Sequence, residues 1–275
     1  MQIDEDAYYR KVQSAYDQIA SSYDNSVGRS AVSRRAKQLA IQTVKNLTPS
    51  GGLLLDVGCY TGIEALLLAQ QGFRVVGVDL SPEMIRIAEA KARRRRLQNH
   101  ASFAVLRASG IGGLLEKGYE SFDTAYSAYG TLNLEPRISD FKAGLLPLLK
   151  ERGALVVGLL NPTVFYELVV APFLLKFHGY RKLRKDHVRT RIGLGSDTVE
   201  AFLYTVEGFS TMMEPEFRLK EVRGLHILYP PPRGTHGPNL WWIPRVLDSL
   251  ELRVEERFPF SHLGFFTLLT FTKSG

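Results

Sequence analysis

Apolar and polar positions repeat with two different periods along this chain, and the periods alternate. Tyr8, Val12, Ala15, Ile19 and Tyr23 follow i, i+3/i+4 spacing, which predicts helix within residues 4–46. A second helical stretch, Ala31 to Leu47, leads into the turn Thr48-Pro-Ser-Gly-Gly52. The apolar run Leu53–Val57 then stops at a glycine-containing turn. A helix-like segment with Leu66, Leu67 and Leu68 follows, and a Val-rich run ends on Asp79. That order is strand, tight turn, helix, strand, one βαβ unit. Ser81 and Pro82 suit a helix start, and the pattern carries that helix to Leu97 with Met84, Ile85 and Ala88 inward.

Further strands are predicted at Phe103–Leu106, Phe122–Ala128 and Ala154–Leu160. Helix Arg137–Lys150 and the turn Glu151-Arg-Gly153 lie between the last two. Asn161-Pro162 breaks the strand. The next stretch contains an apolar, aromatic segment (Val164–Phe177), a basic run, and a hairpin made of Val188–Ile192 and Thr198–Tyr204. Strand Phe217–Tyr229, helix Asn239–Leu250 and strand Gly264–Thr272 complete the pattern. Strands alternating with helices predict an α/β fold with a mostly parallel sheet, which binds ligands beyond the carboxyl ends of its strands.

The first βαβ turn holds the most specific chemistry. Gly58 and Gly62 have no Cβ, so the chain can turn sharply and let a ligand approach. The helix opening near Ile63 offers free N–H groups. Asp79, at the tip of the second strand, can accept two hydrogen bonds from a ribose diol. Asp56 can brace the turn or meet a cationic ligand group. The dinucleotide fingerprint needs glycine at three places, and counting from Gly58 the other two are Tyr60 and Ile63. A P-loop needs Gly-Lys-Ser/Thr, whereas Gly62 is followed by Ile63 and Glu64. A nucleoside ligand without a pyrophosphate fits better.

The pattern Asp56-Val-Gly-Cys-Tyr-Thr-Gly62, with Asp79 seventeen residues further on, resembles the first two motifs of class I S-adenosylmethionine-dependent methyltransferases. Tyr60 departs from the family, which often has glycine there. Ala15-Tyr-Asp-Gln-Ile-Ala-Ser-Ser-Tyr-Asp24 resembles the segment that folds over the cofactor in many small-molecule members. Phe122-Asp123 and Ser127-Ala-Tyr-Gly-Thr-Leu-Asn133 resemble the family's fourth strand and the loop beside the acceptor. After the third strand the family often places an acid near the adenine; here the residues are Leu106-Arg-Ala-Ser109.

The resemblance implies S-adenosylmethionine as cofactor. It implies a Rossmann-like seven-stranded sheet, mostly parallel with a reversed last strand, helices on both faces and a cap inserted after strand five. Its cofactor-binding candidates are Tyr16, Tyr23, Asp56, Gly58, Cys59, Gly62, Asp79, Leu80, Met84, Ala108, Ser109, Ser127 and Ala128. Tyr129, Asn133, Phe165 and Tyr166 are candidates for the acceptor side. The expected division is a helical lid (1–50), a cofactor core (51–160), an acceptor-binding cap (161–215) and the end of the core (216–275).

Composition narrows the class further. At 275 residues, 45% hydrophobic and 23% charged, the chain can bury a full core, and it holds no apolar run long enough to span a bilayer. The single cysteine, Cys59, fits a reducing cytoplasm. No His/Cys/Asp cluster has metal-ligand spacing and no Gly-x-Ser-x-Gly elbow occurs. Of the net charge of +7, much lies in the run Lys176–Arg191. Phosphates or an anionic lipid surface are alternative partners for that run, and a methyltransferase on nucleic acid or lipid, or a non-catalytic binding module, are the alternative functions. The run adjoins an apolar segment rather than stacking aromatics in a groove, which favours a small-molecule acceptor over nucleic acid. The simplest account of the run is a solvated face.

Overall fold

The computed structural model of the chain describes residues 4–25, 31–170, 187–194, 197–228 and 245–275. Seven strands form one sheet: β1 (Leu53–Val57), β2 (Arg74–Asp79), β3 (Ala101–Val105), β4 (Phe122–Ser127), β5 (Leu149–Leu160), β8 (Phe217–Leu225) and β9 (Phe266–Lys273). Their order is β3-β2-β1-β4-β5-β9-β8. The pairs β1–β2, β2–β3, β1–β4 and β4–β5 are parallel, while β9 runs antiparallel to both β5 and β8. The expected sheet with its reversed last strand is present. A separate hairpin, β6 (His187–Leu194) and β7 (Asp197–Tyr204), follows β5, where the sequence pattern predicts one.

Both faces of the sheet are covered, which explains why its central strands are apolar at successive positions rather than alternately. Leu54, Val75, Tyr126 and Val156 face helices α2 (Ala31–Leu47) and α3 (Ile63–Gln70). Leu55, Val57, Val76 and Leu155 face the opposite layer, with Ile111, Phe141 and Phe209. Helix α4 (Pro82–Arg94) is capped as read, the Ser81 hydroxyl accepting from Met84 N at 3.1 Å.

The element bounds depart from expectation in instructive places. The fifth helix, α5, spans Ile138–Leu145 only, because Leu149 already pairs with Phe122 in the sheet. The expected turn at Glu151–Gly153 is a register shift inside β5, with Arg152 at φ 60°. A 3-10 helix at Ala108–Lys117 was hidden by Gly110, Gly112 and Gly113, which read as loop. Glycine is needed on the helix that packs against it: a Cβ on Gly144 of α5 would lie 2.9 Å from Gly112 N. Helix α6 (Val206–Met213) was also not anticipated. Thr205 caps it, accepting from Gly208 N at 3.0 Å, and Val206, Phe209 and Met213 join the main core. Strand β3 starts two residues before its predicted bound, and β8 ends at Leu225 rather than Tyr229. Helix α7 covers Arg245–Val254, while 239–244 of its expected span lie outside the described residues. So does most of the basic run Lys176–Arg191.

Helix α1 (Glu5–Ile19) lies over the carboxyl ends of the strands rather than on a sheet face. The Tyr8 hydroxyl ties it to the main body and the hairpin at once, meeting the carbonyls of Leu134 and Glu200, each at 2.9 Å. Asn133 performs a similar service inside. Its Nδ2 donates to the carbonyls of Phe202 (2.7 Å) and Leu160 (3.2 Å), and its Oδ1 accepts from Leu160 N at 2.8 Å. Fully buried, Asn133 joins the β4 loop to β5 and the hairpin instead of facing an acceptor. Asn133→Ala strands these backbone groups and is expected to destabilise the protein by about 2–4 kcal/mol in urea unfolding.

Candidate functional site

Three left-handed residues shape the turn after β1: Gly58 (φ 78°), Tyr60 (φ 49°) and Gly62 (φ 74°). The amides of Gly58 and Cys59 both donate to Val78 O, at 2.8 and 3.0 Å, so the turn is pinned to the end of β2. Gly58 can be nothing larger in this packing, since a Cβ there would sit 2.0 Å from Thr131 Oγ1. A left-handed aromatic residue is uncommon, and the ring of Tyr60 offsets the strain. It stacks on Tyr23 (centroids 4.8 Å apart, 16° between planes) and lies 5.5 Å from Tyr16, and its hydroxyl donates to Tyr129 O at 3.3 Å.

Asp79 closes the other side of the turn. Oδ2 accepts from Tyr60 N and Oδ1 from Ser81 N, each at 2.9 Å. Burial pushes its carboxyl up to about 6, and the two amide donors hold it from rising further. Asp79 lines a crevice beside Leu80.

That crevice is narrow and partly open to solvent. Of the predicted residues, Tyr16, Gly58, Asp79, Leu80 and Ala108 line it. Tyr60, Arg107, Thr131 and Glu135 line it too and were not singled out by the sequence as binding groups, nor was Tyr9 from the lid. The N-terminal helical segment is tied down at its far end: Asp17 accepts from Glu83 N at 3.3 Å and from the Ser81 hydroxyl, and Asp24 meets Lys91 and Thr61 at 2.5 Å.

Below the turn lies a buried polar group. Asp56 is 3% exposed, and its Oδ2 has no hydrogen-bond partner among the described residues. Its carboxyl is raised well above the usual range, first by burial and then by the Glu64 charge, with the Tyr126 hydroxyl acting in the opposite direction. The Ser127 hydroxyl is likewise buried without a partner. Lys37 pairs with Glu64, and its Nζ stands 5.0 Å from the centroid of the Tyr129 ring.

The remaining candidates divide. Ser109 adjoins the crevice, its hydroxyl 3.2 Å from Tyr9 Oη. Gly62 opens α3. Cys59 and Met84 are buried, and burial raises the Cys59 thiol well above its ordinary value, which opposes thiolate chemistry. Ala128 packs its carbonyl against Gly158, and Tyr129 packs on Phe266. Phe165 meets Phe260 at 5.2 Å and Tyr166 opens a π-helical turn, so neither reaches the crevice. Among the described residues no group of three or more His, Cys, Asp and Glu side chains is arranged to hold a metal ion.

Comparison with known proteins places this geometry in context. The family described as methyltransferase domain matches residues 54–153, from β1 to the bulge of β5. The erythromycin 3''-O-methyltransferase of Saccharopolyspora erythraea is 36% identical over 114 residues, 41% of this chain and 36% of that protein. The ubiquinone biosynthesis O-methyltransferase of Xylella fastidiosa (strain 9a5c) is 28% identical over 66% of this chain and 67% of its own length. The chain thus spans about a third of the first relative and two thirds of the second. A structure of Burkholderia thailandensis 1,6-didemethyltoxoflavin-N1-methyltransferase, with its substrate and S-adenosylhomocysteine bound, superposes with a TM-score of 0.61. It covers 100% of this chain and 92% of that one at 14% identity, a likeness of fold alone.

Proposed function

We propose that the chain is a class I S-adenosylmethionine-dependent methyltransferase that methylates a small, apolar or aromatic acceptor, a reading supported by the methyltransferase-domain match over residues 54–153 and by the methyltransferase relatives. The observation that carries the reading is the crevice at the strand ends, where a buried carboxylate (Asp79) and a glycine wall (Gly58) meet under the aromatic rings of Tyr9 and Tyr16. S-adenosylmethionine suits that set. A ribose diol has its acceptor in Asp79, and the base has Leu80 and Ala108. When bound, the cofactor supplies a methyl group activated by a sulfonium.

The chain's own residues then align and shield. Methyl transfer is an in-line displacement, accelerated mainly by positioning and by exclusion of water. Tyr16, Tyr23 and Tyr60 exclude water from the turn, and the Tyr8 bonds hold α1 and the hairpin closed over it. We take 1–50 as the lid, 51–160 with 216–275 as the core, and the 161–215 insert as the acceptor cap, noting that α6 packs into the core. The relatives named as an erythromycin 3''-O-methyltransferase and a ubiquinone biosynthesis O-methyltransferase support an oxygen as the acceptor atom. No described helix is long and apolar enough to cross a membrane, and the single buried cysteine fits a cytoplasmic site of action.

Incubation with methyl-labelled S-adenosylmethionine and panels of phenolic and glycosylated acceptors tests this. Label in an organic-extractable product, with S-adenosylhomocysteine formed one for one, is the expected result. Label confined to nucleic acid or lipid would overturn the acceptor class.

A further inference from the structure

The end of β3 offers no carboxylate to a base in the crevice. Arg107 lays its guanidinium over the Tyr9 ring, 4.9 Å from the centroid, and Ala108 and Ser109 follow. A carboxylate nevertheless reaches the same wall from the other side. Glu135 stands just beyond the 3-10 helix Thr131–Leu134 that follows β4, and it is 2% exposed. Its Oε2 accepts from Ser109 N at 2.9 Å; its Oε1 accepts from Arg137 N at 2.9 Å and from the Tyr9 hydroxyl. It lines the crevice beside Leu106 and Ala108.

We propose that Glu135 reads the exocyclic amine of the donor's adenine ring. This rests on the crevice being a nucleoside site as argued above. With the ribose on Asp79, the base lies along the apolar slot of Leu80 and Ala108, and its polar edge needs partners where that slot ends. Each carboxylate oxygen accepts at two positions. Oε1 is filled by Arg137 N and Tyr9, whereas Oε2 has one donor, Ser109 N, and one position to spare. Among the described residues no Lys or Arg forms an ion pair with Glu135. A buried carboxylate held by neutral donors alone gains from one more N–H, and an amine pointing at the β3 end supplies it. Three elements aim this one side chain: α1 through Tyr9, the β3 end through Ser109, and its own loop through Arg137. Lid closure and base recognition therefore share one carboxylate.

The test compares binding of S-adenosylhomocysteine with its inosine and N6,N6-dimethyladenosine counterparts, which carry no N–H at that position. Wild-type protein is expected to favour the adenine form by about tenfold or more. Glu135→Gln is expected to narrow that preference to about twofold, mainly through weaker adenine binding, with the thermal unfolding midpoint of the unliganded protein reporting any loss of fold. Equal affinity of the wild type for all three would overturn the proposal without recourse to a variant. So would a preference that survives intact in Glu135→Gln. If the wild type binds none of the three, the nucleoside site itself is wrong, a failure distinct from that of Glu135.

Discussion

Replacing Asp79 with alanine is expected to weaken S-adenosylhomocysteine binding by about 2–4 kcal/mol, roughly 30- to 1,000-fold, because two charge-assisted hydrogen bonds to a ribose are lost. Alanine also strands the amides of Tyr60 and Ser81, which Asp79 holds at 2.9 Å. Asp79→Asn is therefore the companion variant, since it retains a side-chain acceptor while removing the charge. The carboxyl, raised by burial to about 6, adds a pH signature. Below that value the free protein takes up a proton on the group the ligand needs ionised. Wild-type affinity should then fall toward tenfold per pH unit, while the asparagine variant stays flat. Stability moves the other way. The folded state binds the proton more tightly than the unfolded chain, so the cost of the buried charge is present above about pH 6 and is relieved as pH falls through 6 toward the ordinary carboxylate value. Titration of both proteins between pH 5 and 8 checks the sign. A wild-type profile as flat as the variant's would remove Asp79 from the site.

Gly58→Val is expected to abolish cofactor binding and to lower stability by about 2–4 kcal/mol. Two costs add. A β-branched residue is forced to φ 78°, and its Cβ meets Thr131 Oγ1 at 2.0 Å. The double variant Gly58→Val, Thr131→Ala separates them. Removing the Thr131 side chain should recover part of the lost urea-unfolding free energy and none of the binding, because the backbone strain and the lost approach to the ligand persist. Recovery of binding in the double variant would mean that Gly58 matters only for packing.

The sequence made the turn legible because its requirements are local. Glycines at positive φ and an acid closing a strand leave a mark in a single stretch, and Gly58, Gly62 and Asp79 occupy the expected places. Tyr60 was marked as a departure, and its left-handed backbone is tolerated because Tyr16 and Tyr23 pack on its ring. What stayed hidden depends on distant partners. Tyr9 and Glu135 are ordinary residues in their own segments; the ends of neighbouring strands bring Glu135 to Ser109, and only α1 laid across them brings Tyr9 to both. Asn133 misled for the opposite reason. It sits at the loop position the resemblance marks for the acceptor, yet its amide is used up on the backbone of Leu160 and Phe202. The polar stretch Lys150–Gly153 looks like a turn until Leu149 pairs with Phe122, a long-range contact that local composition does not encode.

The most direct test of the central claim is calorimetric titration of the whole chain with S-adenosylmethionine and S-adenosylhomocysteine, with NAD as control. The account predicts one site per chain, micromolar affinity for both ligands, and no heat with NAD. Absence of binding by both, in a protein that unfolds cooperatively, would contradict it and would mean that the Tyr60 turn closes the crevice to the nucleoside.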